Sequence, residues 1–175
     1  MKTTRNFLAA IFLSFFSLAG PLFAQNIDPD NVDKKYLSSN VKYANKYLER
    51  GEPFQALEYF AKESKENPNN HYANYMLGSL YYDLFDYKQS QRFYSYVVSR
   101  GGSNEFPLAP YWYGVTLKMN GDYIKAKKIL TDFIESFKPS NTEESIYLDK
   151  AKLEYEGARI AMKEMEKKER NYEFE

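Results

Sequence analysis

The stretch Tyr75-Met-Leu-Gly-Ser-Leu-Tyr81, followed by Asp86-Tyr87, returns in altered letters as Tyr111-Trp-Tyr-Gly-Val-Thr-Leu117, followed by Gly121-Asp-Tyr-Ile-Lys-Ala126. A pattern that recurs at a fixed period decides the fold before any single helix is read. The small residues Ala44, Gly78 and Gly114 stand 34 and then 36 residues apart, and three positions further on Tyr47, Tyr81 and Leu117 keep the same spacing. Gly51, Phe85 and Gly121 follow where a turn is due, then the small residues Ala56, Ser90 and Ala126, then the bulky Phe60, Tyr94 and Leu130.

These columns describe a helix hairpin. Two small residues, one on each helix, let the pair approach closely, and large residues one or two turns away fill the space beside them. Such a hairpin cannot bury its apolar face alone, whereas three stacked hairpins share one continuous core. Helices are expected at Ser39–Arg50, Pro53–Lys65, His71–Leu84, Tyr87–Arg100, Pro107–Asn120 and Asp122–Phe137, with Asn67-Pro68-Asn69-Asn70 and Gly101-Gly102 as the breaks between hairpins. A seventh follows from the capping-box pattern Ser140-Asn-Thr-Glu143 and the apolar series Ile146, Leu148, Ala151, Leu153, Ala158, Ile160, Ala161 and Met165.

The columns resemble the tetratricopeptide repeat over roughly Leu37 to Ser140. The resemblance implies an all-α, right-handed superhelical solenoid of about three repeats (37–70, 71–106, 107–140), closed by a capping helix over 141–170 and a tail at 171–175. Departures from the family pattern are Pro53 in place of Tyr, Glu63 in place of Ala, and a terminal proline displaced to Pro139. In that family the first helix of each hairpin lines a concave groove. The register puts Val41, Asn45 and Leu48 there from the first repeat, Tyr72, Tyr75, Ser79, Tyr82 and Asp83 from the second, and Tyr111, Val115, Lys118 and Met119 from the third.

Four tyrosines on one surface suit a peptide- or protein-binding face, because Tyr offers rigid amphipathic area at low entropic cost; the competing reading is that several of them pack between hairpins, since the same helices must also supply core. On the groove reading Tyr75→Ala with Tyr82→Ala leaves melting nearly unchanged, and the tyrosines of the core are Tyr47, Tyr81, Tyr87, Tyr94 and Tyr123. The family's carboxylate-gripping variant is not indicated: Asn45 matches its basic and amide set, but Val41, Met76, Leu108 and Trp112 occupy the other positions.

The N-terminus carries a different message. Lys2 and Arg5 precede a 13-residue apolar run from Phe7 to Ala19, broken by Gly20-Pro21, and Leu22-Phe23-Ala24 then offers a small-residue cleavage point. This is the pattern of a secretory signal peptide over residues 1–24, and the run is shorter than the roughly 20 residues that cross a bilayer. Cleavage removes two cations and leaves 22 basic against 24 acidic side chains. A periplasmic product without membrane insertion is expected, with residues 25–36 as a flexible lead-in.

Composition narrows the chemistry further. The chain has no Cys and one His, His71, so thiolate chemistry, disulfides and zinc sites needing several soft or imidazole ligands are excluded. Net charge is zero, which offers no field for a phosphate backbone, so nucleic acid is not an expected partner. Asp28, Asp30 and Asp33 lack the glycine turn and closing Glu of a calcium loop. No P-loop, dinucleotide fingerprint or nucleophile elbow occurs, and His71 opens a helix with no nucleophile motif beside it. The expectation is a non-enzymatic protein without metal or cofactor.

The wording from Ala109 to Tyr123 and from Tyr147 to Ala161 also resembles the N-terminal repeat segment of periplasmic proteins from Bacteroidetes-type envelopes. In that family the segment precedes a β-propeller and an OmpA-like peptidoglycan-binding domain, and some members serve type IX secretion and gliding. Neither module is in this sequence, so the resemblance implies a cell-envelope assembly or secretion context and not wall binding. The partner expected is another envelope protein or peptide segment. The alternative is a homo-oligomer, a self-associating structural subunit of an envelope complex.

Overall fold

The computed structural model describes residues 32–172. The expected signal peptide (1–24), residues 25–31 of the lead-in and residues 173–175 of the tail lie outside the described residues. Among the described residues the fold is all-α, with seven helices: α1 (Ser39–Glu49), α2 (Pro53–Glu66), α3 (His71–Asp83), α4 (Tyr87–Ser99), α5 (Ala109–Met119), α6 (Tyr123–Ser136) and α7 (Thr142–Tyr172). None of these helices is long and apolar enough to cross a membrane.

Three of the turns are built alike. The N–H groups of Glu52, Asp86 and Asp122 each donate at 2.9 Å to the carbonyl five residues back, on Tyr47, Tyr81 and Leu117. One residue earlier, Gly51, Phe85 and Gly121 sit in the left-handed region, with φ of 71°, 60° and 82°. This is the Schellman C-cap, which satisfies the last carbonyls of one helix and turns the chain into the next. Asp86 and Asp122 then serve as N-caps, accepting from the N–H groups of Gln89 and Lys125, whereas Glu52 makes no such bond and Pro53 begins α2 instead.

Each helix packs on the next in the chain, and side chains link the odd-numbered helices in series. The Tyr72 hydroxyl of α3 donates to Asn45 of α1 at 2.8 Å, Tyr82 of α3 meets Trp112 of α5 edge-on at 5.3 Å, and Tyr111 of α5 meets Tyr147 of α7 at 5.2 Å. The small-residue columns do the work expected of them. A Cβ on Gly78 would stand 2.9 Å from the Tyr94 ring, and one on Gly114 would stand 2.7 Å from Leu130. At the second small column, the buried Ser90 hydroxyl donates to the Gly78 carbonyl at 2.6 Å. The core runs from Val41 through Phe60, Leu77, Tyr94 and Trp112 to Tyr147 and Ala151.

Several boundaries differ from expectation. The third hairpin opens at Ala109 and not at Pro107, because Gly102–Asn104 forms a 3-10 turn and Pro107-Leu108 continues the connector. The capping box of α7 is one residue later than read: Asn141 accepts from the Glu144 N–H at 2.8 Å, and Glu144 accepts from the Ser140 N–H at 2.6 Å. The end of the lead-in is docked and not loose. Lys34–Tyr36 forms a 3-10 turn capped by Asp33, and Tyr36 is buried. Its carbonyl accepts from Asn70 at 3.0 Å, its hydroxyl donates to Glu105, and its ring packs on Phe106.

Candidate functional site

The row of odd-numbered helices is where the register puts the groove, and the structure sorts those residues into two sets. Asn45, Tyr72, Tyr75, Ser79, Tyr111 and Val115 are buried, as is Val41. Leu48, Tyr82, Asp83 and Lys118 are half-buried, and Met119 is exposed. Only the second set can meet a partner without the helices moving apart. The buried set is a correction to the groove reading, and the reason lies in segments outside the repeat columns.

Phe106, from the connector between α4 and α5, stacks on Tyr75 at 5.3 Å and lies 6.4 Å from Tyr72. Tyr36 covers Phe106 from the lead-in. At the other end Tyr147 of α7 closes over Tyr111 and Trp112. Tyr75 also packs edge-on against Tyr94 at 5.4 Å. Burial pushes the hydroxyls of Tyr72, Tyr75 and Tyr111 well above the usual tyrosine value, so all three stay protonated. The tyrosines expected in the core show the converse: Tyr94 is fully buried, but Tyr47, Tyr81, Tyr87 and Tyr123 are half-buried.

What remains open is a polar edge near the ends of α3 and α5. Lys118 forms an ion pair with Glu154 of α7. Tyr82 lies between Tyr87 and Trp112, both edge-on at 5.3 Å, and its hydroxyl is pushed up to about 12 by burial, with Tyr87, Glu154 and Asp83 adding to the effect. Asp83 is the residue out of balance. One of its carboxylate oxygens is enclosed without a hydrogen-bond partner, and burial raises its carboxyl from 3.8 to about 6. A carboxylate in that state calls for a donor or a cation.

The remaining candidates have structural explanations. His71 lies in the first turn of α3, with Nδ1 3.5 Å from the Tyr36 hydroxyl. Gly102 passes so close that a Cβ there would be 3.0 Å from the His71 ring and 2.7 Å from Val97, so this glycine serves close packing. Asp33 bonds to the N–H and ammonium of Lys35. Among the described residues no group of three or more His, Cys, Asp or Glu side chains is arranged to hold a metal. Glu63, a departure from the repeat pattern, proves to be a buried hub. It accepts from Asn70 at 2.9 Å, from Asn67 at 3.2 Å, from Asn40 at 3.3 Å and from Ser38.

Two residues of the open edge escape a reading based on groove register. Leu84 and Phe85 form the turn after Asp83, with Phe85 77% exposed. The signal was present in the columns, since Phe85 stands where the other repeats have Gly51 and Gly121. The comparisons add no family: no protein-family model matches the chain, and no curated protein matches it.

Proposed function

We propose that this chain is an exported, non-enzymatic scaffold of the cell envelope, built as a right-handed superhelix of three tetratricopeptide-type hairpins with α7 as its cap. It binds another envelope protein or peptide segment at the open edge of the odd-helix row. The observation that carries this reading is the threefold use of one turn geometry at matching columns, together with an edge of exposed apolar and under-compensated acidic side chains. Repeated hairpins of this kind present extended surfaces suited to partner recognition.

Affinity capture and crosslinking of the mature chain in its native envelope, read by mass spectrometry, test the proposal. One envelope protein recovered with a monomeric bait supports it. N-terminal sequencing of the exported form tests the export step, with Gln25 expected as the first residue.

A second reading, self-association, is favoured by one feature of α7. Ile146, Leu153 and Ile160 are exposed at seven-residue intervals along one face, about 140° around the helix from the buried Tyr147, Ala151 and Ala158. Light scattering separates the two readings. A larger mass with only self-crosslinks favours the structural subunit.

A further inference from the structure

We propose that the turn Asp83-Leu84-Phe85-Asp86 is a docking site for a partner segment that carries an apolar side chain beside a lysine or arginine. The proposal rests on the scaffold reading and gives its partner a chemistry.

The turn is unlike its two counterparts in a way that folding does not require. The left-handed residue is Gly at φ 71° and 82° in the first and third hairpins, but Phe at φ 60° in the second. A bulky side chain in that region is disfavoured by contact between Cβ and the backbone. Packing does little to offset it, since the Phe85 ring is 77% exposed and meets Tyr87 edge-on at 6.3 Å. Leu84 beside it is exposed, and so is Met119 at the end of α5, whose neighbour Asn120 donates to the Tyr87 carbonyl at 3.0 Å. These side chains offer an apolar seat. A strained, exposed aromatic of this kind is a reason to look for a ligand.

Charge then selects the ligand. Asp83 and Asp86 bracket the two apolar residues. Asp86 is partly engaged, accepting from the Gln89 N–H at 3.1 Å. Asp83 forms no ion pair among the described residues, and one of its oxygens has no donor. The ionisable groups that act on the neighbouring Tyr82 and Tyr94 are other tyrosine hydroxyls, Asp83 itself and the carboxylate of Glu154, and no cation is among them. An acidic or purely apolar segment would enclose Asp83 further without compensation. A basic residue complements the Asp83 and Asp86 carboxylates from their solvent-facing side while its apolar neighbour covers Leu84 and Phe85.

The test uses the full mature chain and three fluorescein-labelled synthetic octapeptides, centred on Leu-Leu-Lys-Lys, Leu-Leu-Glu-Glu and Ser-Ser-Lys-Lys, followed by fluorescence anisotropy. The first is expected to bind about tenfold more tightly than either control. Phe85→Gly and Asp83→Asn are each expected to weaken it about fivefold with unchanged helicity, and Phe85→Trp to retain it. Equal affinity for the three peptides, no binding at millimolar peptide, or full binding by Phe85→Gly overturns the proposal. So does a dimer in light scattering that Phe85→Gly dissolves, because the occupant is then a second copy. If envelope capture recovers one partner equally with wild type and Phe85→Gly, this docking site fails and the scaffold reading stands. If capture recovers no partner at all, the scaffold reading itself fails.

Discussion

The Glu63 carboxylate accepts a hydrogen bond from Asn70 at 2.9 Å and another from Ser38, so one buried side chain near the end of α2 holds the N-caps of both α1 and α3. Burial by itself would raise the Glu63 carboxyl, but the bonds from Ser38, Asn70, Asn67 and Asn40 outweigh it and hold the group below the usual glutamate value. Its contribution is therefore present at neutral pH and is lost as pH falls below the ordinary glutamate range.

Glu63→Ala should destabilise the chain by about 3 kcal/mol at pH 7, because it removes the acceptor of the buried Asn70 amide and of the Ser38 hydroxyl, the N-caps of two helices. Glu63→Gln should cost less and flatten the loss of stability in acid. Urea unfolding at neutral and acidic pH measures both effects.

Gly114→Ala should destabilise by about 1–3 kcal/mol, since the new methyl would stand 2.7 Å from Leu130 within a filled core. Adding Leu130→Val should recover part of that loss, as the two sites touch and their effects do not add. A double-mutant cycle by thermal denaturation provides the check.

Tyr75→Ala and Tyr82→Ala should behave differently, contrary to the expectation that the pair leaves melting nearly unchanged. Tyr75 is 2% exposed and packs on Tyr94 and Phe106, so its truncation should cost about 3–5 kcal/mol. Tyr82 is half-buried, and its truncation should cost about 1–2 kcal/mol while weakening partner capture. Melting curves of the single variants, read beside capture yield, distinguish the roles.

Asp83→Asn should stabilise the chain at pH 7. The folded state holds the Asp83 proton more tightly than the unfolded chain does, with a carboxyl raised from 3.8 to about 6. Stability from this group is therefore greatest below the unfolded value and falls as pH rises between the two. The variant should gain about 1 kcal/mol above that window, once the residue's partial exposure to solvent is allowed for, and no advantage at low pH. Unfolding midpoints across the range from pH 3.5 to 7.5 test the sign.

The columns Ala44/Gly78/Gly114 and Gly51/Phe85/Gly121 were enough, by themselves, to locate six helices and their turns to within about two residues. These features are local: side-chain size sets how closely two adjacent helices approach, and a left-handed residue sets where the chain turns. The open acidic edge was half legible, since Tyr82, Asp83, Lys118 and Met119 follow from groove register, but nothing in that register marks Phe85 as exposed. Burial of the remaining groove residues was left open between a groove and a packed core. Tyr72, Tyr75 and Tyr111 carry the same amphipathic pattern whether they line a groove or a core, and the difference is made by Tyr36, Phe106 and Tyr147, which come from a lead-in, a connector and the last helix. The recurring columns alone determined the first six helices and their order. Which aromatic rings were closed to solvent was decided by tertiary packing, because burial depends on what distant segments bring to a face and not on the face's own period.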